Sequence, residues 1–250
     1  MHAICQDTAK CTVLAWQSLM DVEQLNAALS FIPKPTAQLR RMLMERANST
    51  ELHEFESILD AVRSLFEKYS RILSDATPGK SRALRLHSMI DQAMEATKSF
   101  PVSCGKGCGG CCHFAVEITG DEAELLHALL EEGVEIDFAK LGRQATLGRD
   151  SAAWKIPWSV ETRCVFLDTD STCRIYAHRP VACRKLVVTT PAKLCASSSS
   201  MIEPIGVLTV EIIVSAAISL SGYRQGLLSK MLLESCSARQ SNQANASASV

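Results

Sequence analysis

The chain has 250 residues, 47% hydrophobic and 5% aromatic, with 26 Lys+Arg against 27 Asp+Glu and a formal charge of -1. That length buries a real core in one large domain or two modest ones, and the composition excludes a disordered chain or a fibre. Near-zero charge removes any long-range pull toward nucleic acid or anionic membrane, and scarce aromatics argue against a base-stacking surface.

The N-terminus reads MHAICQDTAKCTVLAWQSLM, where Asp7 offsets Lys10 and Gln17 breaks a short apolar run. This is a poor export signal, so a cytoplasmic protein with reduced thiols is expected. Residues 1–100 read as a helical region. FIPKPT ends an early helix near Ser30, and Thr36 opens a short helix through Ala47. The longest segment runs from Ser49 to Leu73, with Leu52, Phe55, Ile58, Leu59, Val62, Leu65, Phe66, Tyr69 and Ile72 on one face. Asn48 with Glu51 predicts a capping box at its start. A turn at Thr77-Pro78-Gly79 precedes another run, with Leu84, His87, Met89, Ile90, Ala93, Met94 and Thr97 repeating. The pattern predicts a helical bundle with a Leu/Met core.

From Pro101 the texture changes to VSCGKGCGGCCHF, where Gly105, Gly107, Gly109 and Gly110 let the backbone turn tightly. An amphipathic helix follows, with Thr119 and Glu122 as capping box, Leu125, Leu126, Leu129 and Leu130 as its face, and Gly133 as stop. A second helix is expected over about 137–147. Residues 161–195 are irregular, with β-like pieces at Cys164–Leu167, Arg174–Tyr176 and Leu186–Thr190. The apolar run after Pro204 fits a helix, or a strand and then a helix. Glu203, Pro204 and Glu211 keep it from reading as a membrane span. The polar tail 236–250 is expected to be disordered. The fold class is thus mainly α: an N-terminal bundle (1–100) packed on a cysteine-rich, metal-clamped domain (101–235) with a few short strands.

Eight of the eleven cysteines fall between Cys104 and Cys195. One group is Cys104, Cys108, Cys111 and Cys112; the other is Cys164, Cys173, Cys183 and Cys195. Four thiolates complete a zinc site or an iron–sulfur cluster, and a cytosolic cluster of this density fits metal better than disulfides. Cys111 and Cys112 serve different centres if the backbone there is extended, or converge on one if it turns. Cys5, Cys11 and Cys236 read as small buried hydrophobes. Between Glu161 and Cys195, Arg163, Arg174, Arg179, Arg184, Lys185 and Lys193 outnumber Glu161, Asp168 and Asp170, enough to offset thiolate charge. Each arginine reads equally as a solvated loop residue. His113 is a candidate ligand or supporting donor; His127 and His178 are candidates only by proximity.

VSCGKGCGGCCHFAVEITGDEAELL resembles the signature of the YkgJ-type CxxCxxCC cysteine-cluster family, described as zinc- or iron-chelating. CVFLDTDSTCRIYAHRPVACR is similar to that family's second block, and Cys195 follows at a familiar distance. The first spacing here is x3 where the family name has x2. The resemblance covers about 102–195 and implies metal binding, by an iron–sulfur cluster or zinc, with no settled reaction. Flagellin lysine N-methylases carry a similar motif, which makes an iron–sulfur-dependent enzyme acting on a protein substrate the alternative. The sequence shows no Rossmann glycine motif for S-adenosylmethionine. The partners expected are therefore a metal or cluster and a protein partner or substrate, with no nucleic acid and no membrane. In the Arg-Pro motif, Pro180 suits a first helical turn that aims Cys183 at metal. Arg179 pairs there with a carboxylate such as Asp168, or with a substrate anion.

Overall fold

The three-and-four spacing of apolar residues before residue 75 produces a helix at Leu52–Ser74 whose inward face is Phe55, Val62, Phe66 and Leu73. This computed structural model describes residues 20–105, 107–156, 158–196, 202 and 204–247, and among the described residues the helix is the third of nine α-helices. Before it come α1 (Val22–Ala28) and α2 (Ala37–Ala47), and the helix itself is α3. Thr36 caps α2 by accepting from the Leu39 N–H. The predicted box at Asn48 does not form. Glu51 is the N-cap of α3 without a side-chain bond, while Asn48 closes α2 and accepts from the Met20 N–H at 3.0 Å. The turn at Gly79, with φ of 88°, opens α4 (Lys80–Met94). Cys5 and Cys11 lie outside the described residues.

The second half holds α5 (Gly120–Glu131), α6 (Phe138–Ala145), the short α7 (Val181–Lys185), α8 (Leu208–Leu220) and α9 (Leu228–Ser247). Thr119 and Glu122 form the expected capping box on α5. Two strands, β1 (Glu117–Thr119) and β2 (Gln225–Leu227), pair antiparallel, with Ile118 opposite Gly226. The β-like pieces expected at 164–190 supply only isolated bridges, Leu167 with Cys173 and Val188 with Pro204. Their residues spend most backbone groups on turns instead. The polar tail, expected to be disordered from 236, is helical as far as Ser247. Met231, Leu232, Ser235 and Cys236 anchor its first turns in the core, and no Gly or Pro follows to stop it.

Two apolar cores result. The first gathers α1 to α4 around α8, whose Val210, Ile212, Ile213, Ala216 and Ala217 are all buried. A helix apolar on nearly every side belongs inside a bundle. The second joins Ile118, Leu126, Leu129, Leu141, Val165, Phe166, Ile175, Leu228 and Leu232, and it includes Cys236. Among the described residues no helix is long and apolar enough to cross a membrane.

Buried charges tie the two halves together. Arg82 on α4 meets Asp121 on α5 at 2.6 Å, and Asp121 also accepts from the Gly79 N–H at 2.7 Å. Glu122 takes His87 at 3.3 Å, the Thr119 N–H at 2.9 Å and the Val181 N–H at 2.7 Å. Glu211, the residue that interrupts the apolar run, is buried in α8 and holds Lys185 and the Thr36 hydroxyl, each at 2.8 Å. Arg184 reaches Asp91 at 2.6 Å. Through Glu122, Asp91 and Glu211, the short helix carrying Cys183 is fixed from three sides.

Candidate metal centre

The first cysteine stretch runs beside the second. The Ser103 N–H donates to the Val188 carbonyl at 2.9 Å, and the Cys104 thiol lies 3.8 Å from the Leu186 carbonyl. Gly109 has φ of 46°, and a Cβ there would sit 3.0 Å from the Ser171 Cβ, so the glycine loop presses directly on the 164–173 turn. Gly110–His113 form a 3₁₀ turn. Its Cys112 carbonyl accepts from the Cys164 N–H at 2.8 Å, and the turn packs on a second 3₁₀ turn, Ala192–Ala196, which carries Cys195.

All nine described cysteines are free, and the eight in this region are half-buried. Their charges reach one another: Cys104 feels Cys108 and Cys111; Cys112 feels Cys164 and Cys183; Cys183 feels Cys164 and Cys173; Cys195 feels Cys104 and Cys108. Cys111 and Cys112 do not lie in an extended segment. They turn, and their thiols hydrogen-bond to each other. That bond lowers Cys111 to about 7 and raises Cys112. Burial raises Cys164 to about 11 and pushes Cys183 well above the ordinary thiol range. Cys104, Cys173 and Cys195 are also raised, chiefly by burial. The sulfurs are neighbours and not yet a closed ligand shell: among the described residues, no three His, Cys, Asp or Glu side chains stand close enough to hold an ion.

Residues 103–199 match the model of the CxxCxxCC family, described as "Putative zinc- or iron-chelating domain". This segment carries a CxxCxxCC domain. No curated protein and no solved structure matches the chain.

The CxxCxxCC segment contains all eight thiols, and its basic residues divide into two kinds. Arg184 is buried and structural: besides Asp91, it donates to the Arg179 carbonyl at 2.8 Å and to the Ala177 carbonyl. Arg174 takes Asp168 at 3.6 Å and the Glu135 carbonyl, so the carboxylate expected for Arg179 belongs to another arginine. Arg163 donates to the Asp168 carbonyl. Arg179 lies 4.1 Å over the Tyr176 ring, with its Nε buried and without a hydrogen-bond acceptor. Its charge opposes the rise that burial gives Cys104 and Cys173 and adds to the Cys112 hydrogen bond in lowering Cys111, so it acts on thiols from both stretches.

His113 does not face the thiols through Nδ1, which meets the Ser159 carbonyl at 3.0 Å, and its ring sits edge-on to Trp158. Burial lowers its pKa, so it stays neutral and braces the 158–159 loop. His127 is buried on α5 near Glu131 as a packing residue, and His178 ends a 3₁₀ turn. Sequence reasoning missed Asp91 as a positioning residue and cast Glu122 only as a cap, Glu211 only as a break in an apolar run. The capping box was the one local signal for Glu122.

The chain's own residues fit a soft metal. The donor set is all thiol, no disulfide competes among the described cysteines, and an unpaired guanidinium N–H stands ready for a negatively charged sulfur.

Proposed function

We propose that residues 101–235 work as a cytoplasmic metal-binding module in which Cys104, Cys108, Cys111, Cys112, Cys164, Cys173, Cys183 and Cys195 are the ligands. Iron–sulfur is the favoured cofactor, with zinc the alternative. One observation carries the reading: free thiols from two distant stretches lie within reach of each other's charge, around an arginine whose buried Nε has no acceptor among the described residues.

Burial keeps most of these thiols protonated, so a cation must displace the protons to bind, and metal loading is favoured by rising pH. With no Cβ at Gly105, Gly107, Gly109 and Gly110, the loop backbone can approach sulfur closely, which supports iron–sulfur over zinc. When bound, such a centre supplies a sulfur-ligated core for structural clamping or one-electron transfer. α7 and the 164–173 turn orient the thiols, and the Arg179 guanidinium offsets their charge.

Anaerobic purification followed by analysis for iron, zinc and acid-labile sulfide tests the reading. Iron and sulfide in similar amounts, with visible charge-transfer bands, are expected. A colourless protein with stoichiometric zinc replaces the cofactor and keeps the ligands; a protein with neither metal refutes both.

A further inference from the structure

α4 carries its charges the wrong way round for a helix standing alone. Its first turn holds Lys80 and Arg82 and no acid; its last holds Asp91 and no base, with Glu95 as C-cap. The helix dipole favours the reverse, acids at the N-terminus and bases at the C-terminus. Two of these charges have partners that the fold needs, Arg82 in Asp121 and Asp91 in Arg184. The others do not. Lys80 and Glu95 make only exposed pairs, with Glu132 and Lys98, which contribute little, and Arg85 is exposed.

The outward face of α4 is nevertheless ordered. Ala83, Leu86, His87, Met89 and Ile90 turn inward, and the exposed residues form a stripe centred on Ser88, basic before it and acidic after it. Turned end over end about Ser88, this stripe meets itself in register. Arg85 falls opposite Asp91, Leu84 opposite Gln92, and Ser81 with its neighbour Lys80 opposite Glu95. Ser88 on the axis is small enough for close approach. The same turn sets the N-terminus of each helix beside the C-terminus of the other, so charges that oppose their own dipole suit the neighbouring one. Beside the acidic half, α4 and residues Ala177 and His178 border a shallow groove of about 470 Å³, placed to take the second copy's Leu84.

We infer that α4 is a self-association surface, through which two copies of this chain pair antiparallel across a two-fold axis at Ser88. Such an interface is isologous, each copy giving the patch that it receives. Asp91 then lies between its own Arg184 and the second copy's Arg85, and a carboxylate has lone pairs for both. One helix face buries less than the roughly 800 Å² per partner of a stable complex, so the dimer is weak, with a dissociation constant of about 10–100 μM. Charge holds most of it, and salt loosens it.

Sedimentation equilibrium of the full chain under reductant, from about 1 to 500 μM, tests the surface. A monomer–dimer equilibrium is expected in low salt, weakened about tenfold or more in 1 M salt. Lys80→Glu and Glu95→Lys should each leave monomer alone, because like charges then meet at both ends. An equimolar mixture of the two variants should form a heterodimer, in which both ends are complementary again. Each substitution also suits the dipole of α4, so each monomer should melt no lower than the parent. Ser88→Arg, which puts two cations on the axis, should abolish pairing as well. A parent that stays monomeric over the whole range, a dimer indifferent to salt or to Ser88→Arg, or folded charge variants that do not pair on mixing overturns the assignment.

Discussion

Arg179 carries a buried donor with no acceptor, and such a group costs about 1–3 kcal/mol. The cost makes sense only if the charge is used elsewhere, and the thiols of both stretches are what it faces. Arg179→Gln should therefore leave the metal-free chain at least as stable as the parent, by thermal unfolding, while weakening metal affinity about tenfold or more in a chelator competition. Equal affinity would show that the guanidinium serves only the Tyr176 ring. Gly109 is a second single-residue test. Its left-handed backbone strains any side chain there, and a methyl group would press on the Ser171 Cβ at 3.0 Å. Gly109→Ala should cost about 1–3 kcal/mol and loosen the contact between the two cysteine stretches, lowering both the melting temperature and metal retention. An unchanged melting temperature would contradict the close packing described.

Among the elements, α5 is the joint. Glu122 in its first turn accepts from its own cap, from His87 on α4 and from the N–H that opens α7. Burial pushes its carboxyl up, but the His87 ring and the Thr119 and Val181 N–H groups outweigh burial and hold it lowered. Because the folded chain binds this proton less readily than the unfolded chain, the stability it confers is present above about pH 4.5 and is lost as pH falls through the lowered value. Glu122→Ala should cost about 3–5 kcal/mol in denaturant unfolding near neutral pH and flatten the acid limb of the stability profile. A cost under about 1 kcal/mol would show that α5 does not join the halves. The capping box at Thr119 and Glu122 was legible in sequence because its partners lie three residues apart. The bonds from Glu122 to His87 and Val181 were not, because they cross 35 and 59 residues and no local pattern encodes them. For the same reason, the apolar spacing located α3, but Asn48 was misread as its cap when it closes the preceding helix. The short strands were misplaced too: β1 and β2 are three residues each, too brief for a period-two pattern to register.

At the scale of the whole molecule, the mainly α fold and the gathering of the cysteine stretches followed from composition, glycine spacing and family resemblance. How the halves share a core did not. The apolar helix α8 comes after the cysteines in sequence yet fills the bundle built by α1 to α4. A chain beginning at residue 101 would thus expose the buried faces of α5 and α8. It should bind a hydrophobic dye and lack a cooperative melt; a sharp transition like that of the full chain would contradict the shared core. Two thiol-bearing stretches, the second held to these cores by buried charges and the first laid along it by backbone bonds, converge near Arg179, and metal is expected to meet sulfur there and nothing else. X-ray absorption at the metal edge of the anaerobically purified full chain tests this most directly. The account predicts a first shell of sulfur only, at about 2.3 Å; a shell dominated by nitrogen or oxygen would contradict it.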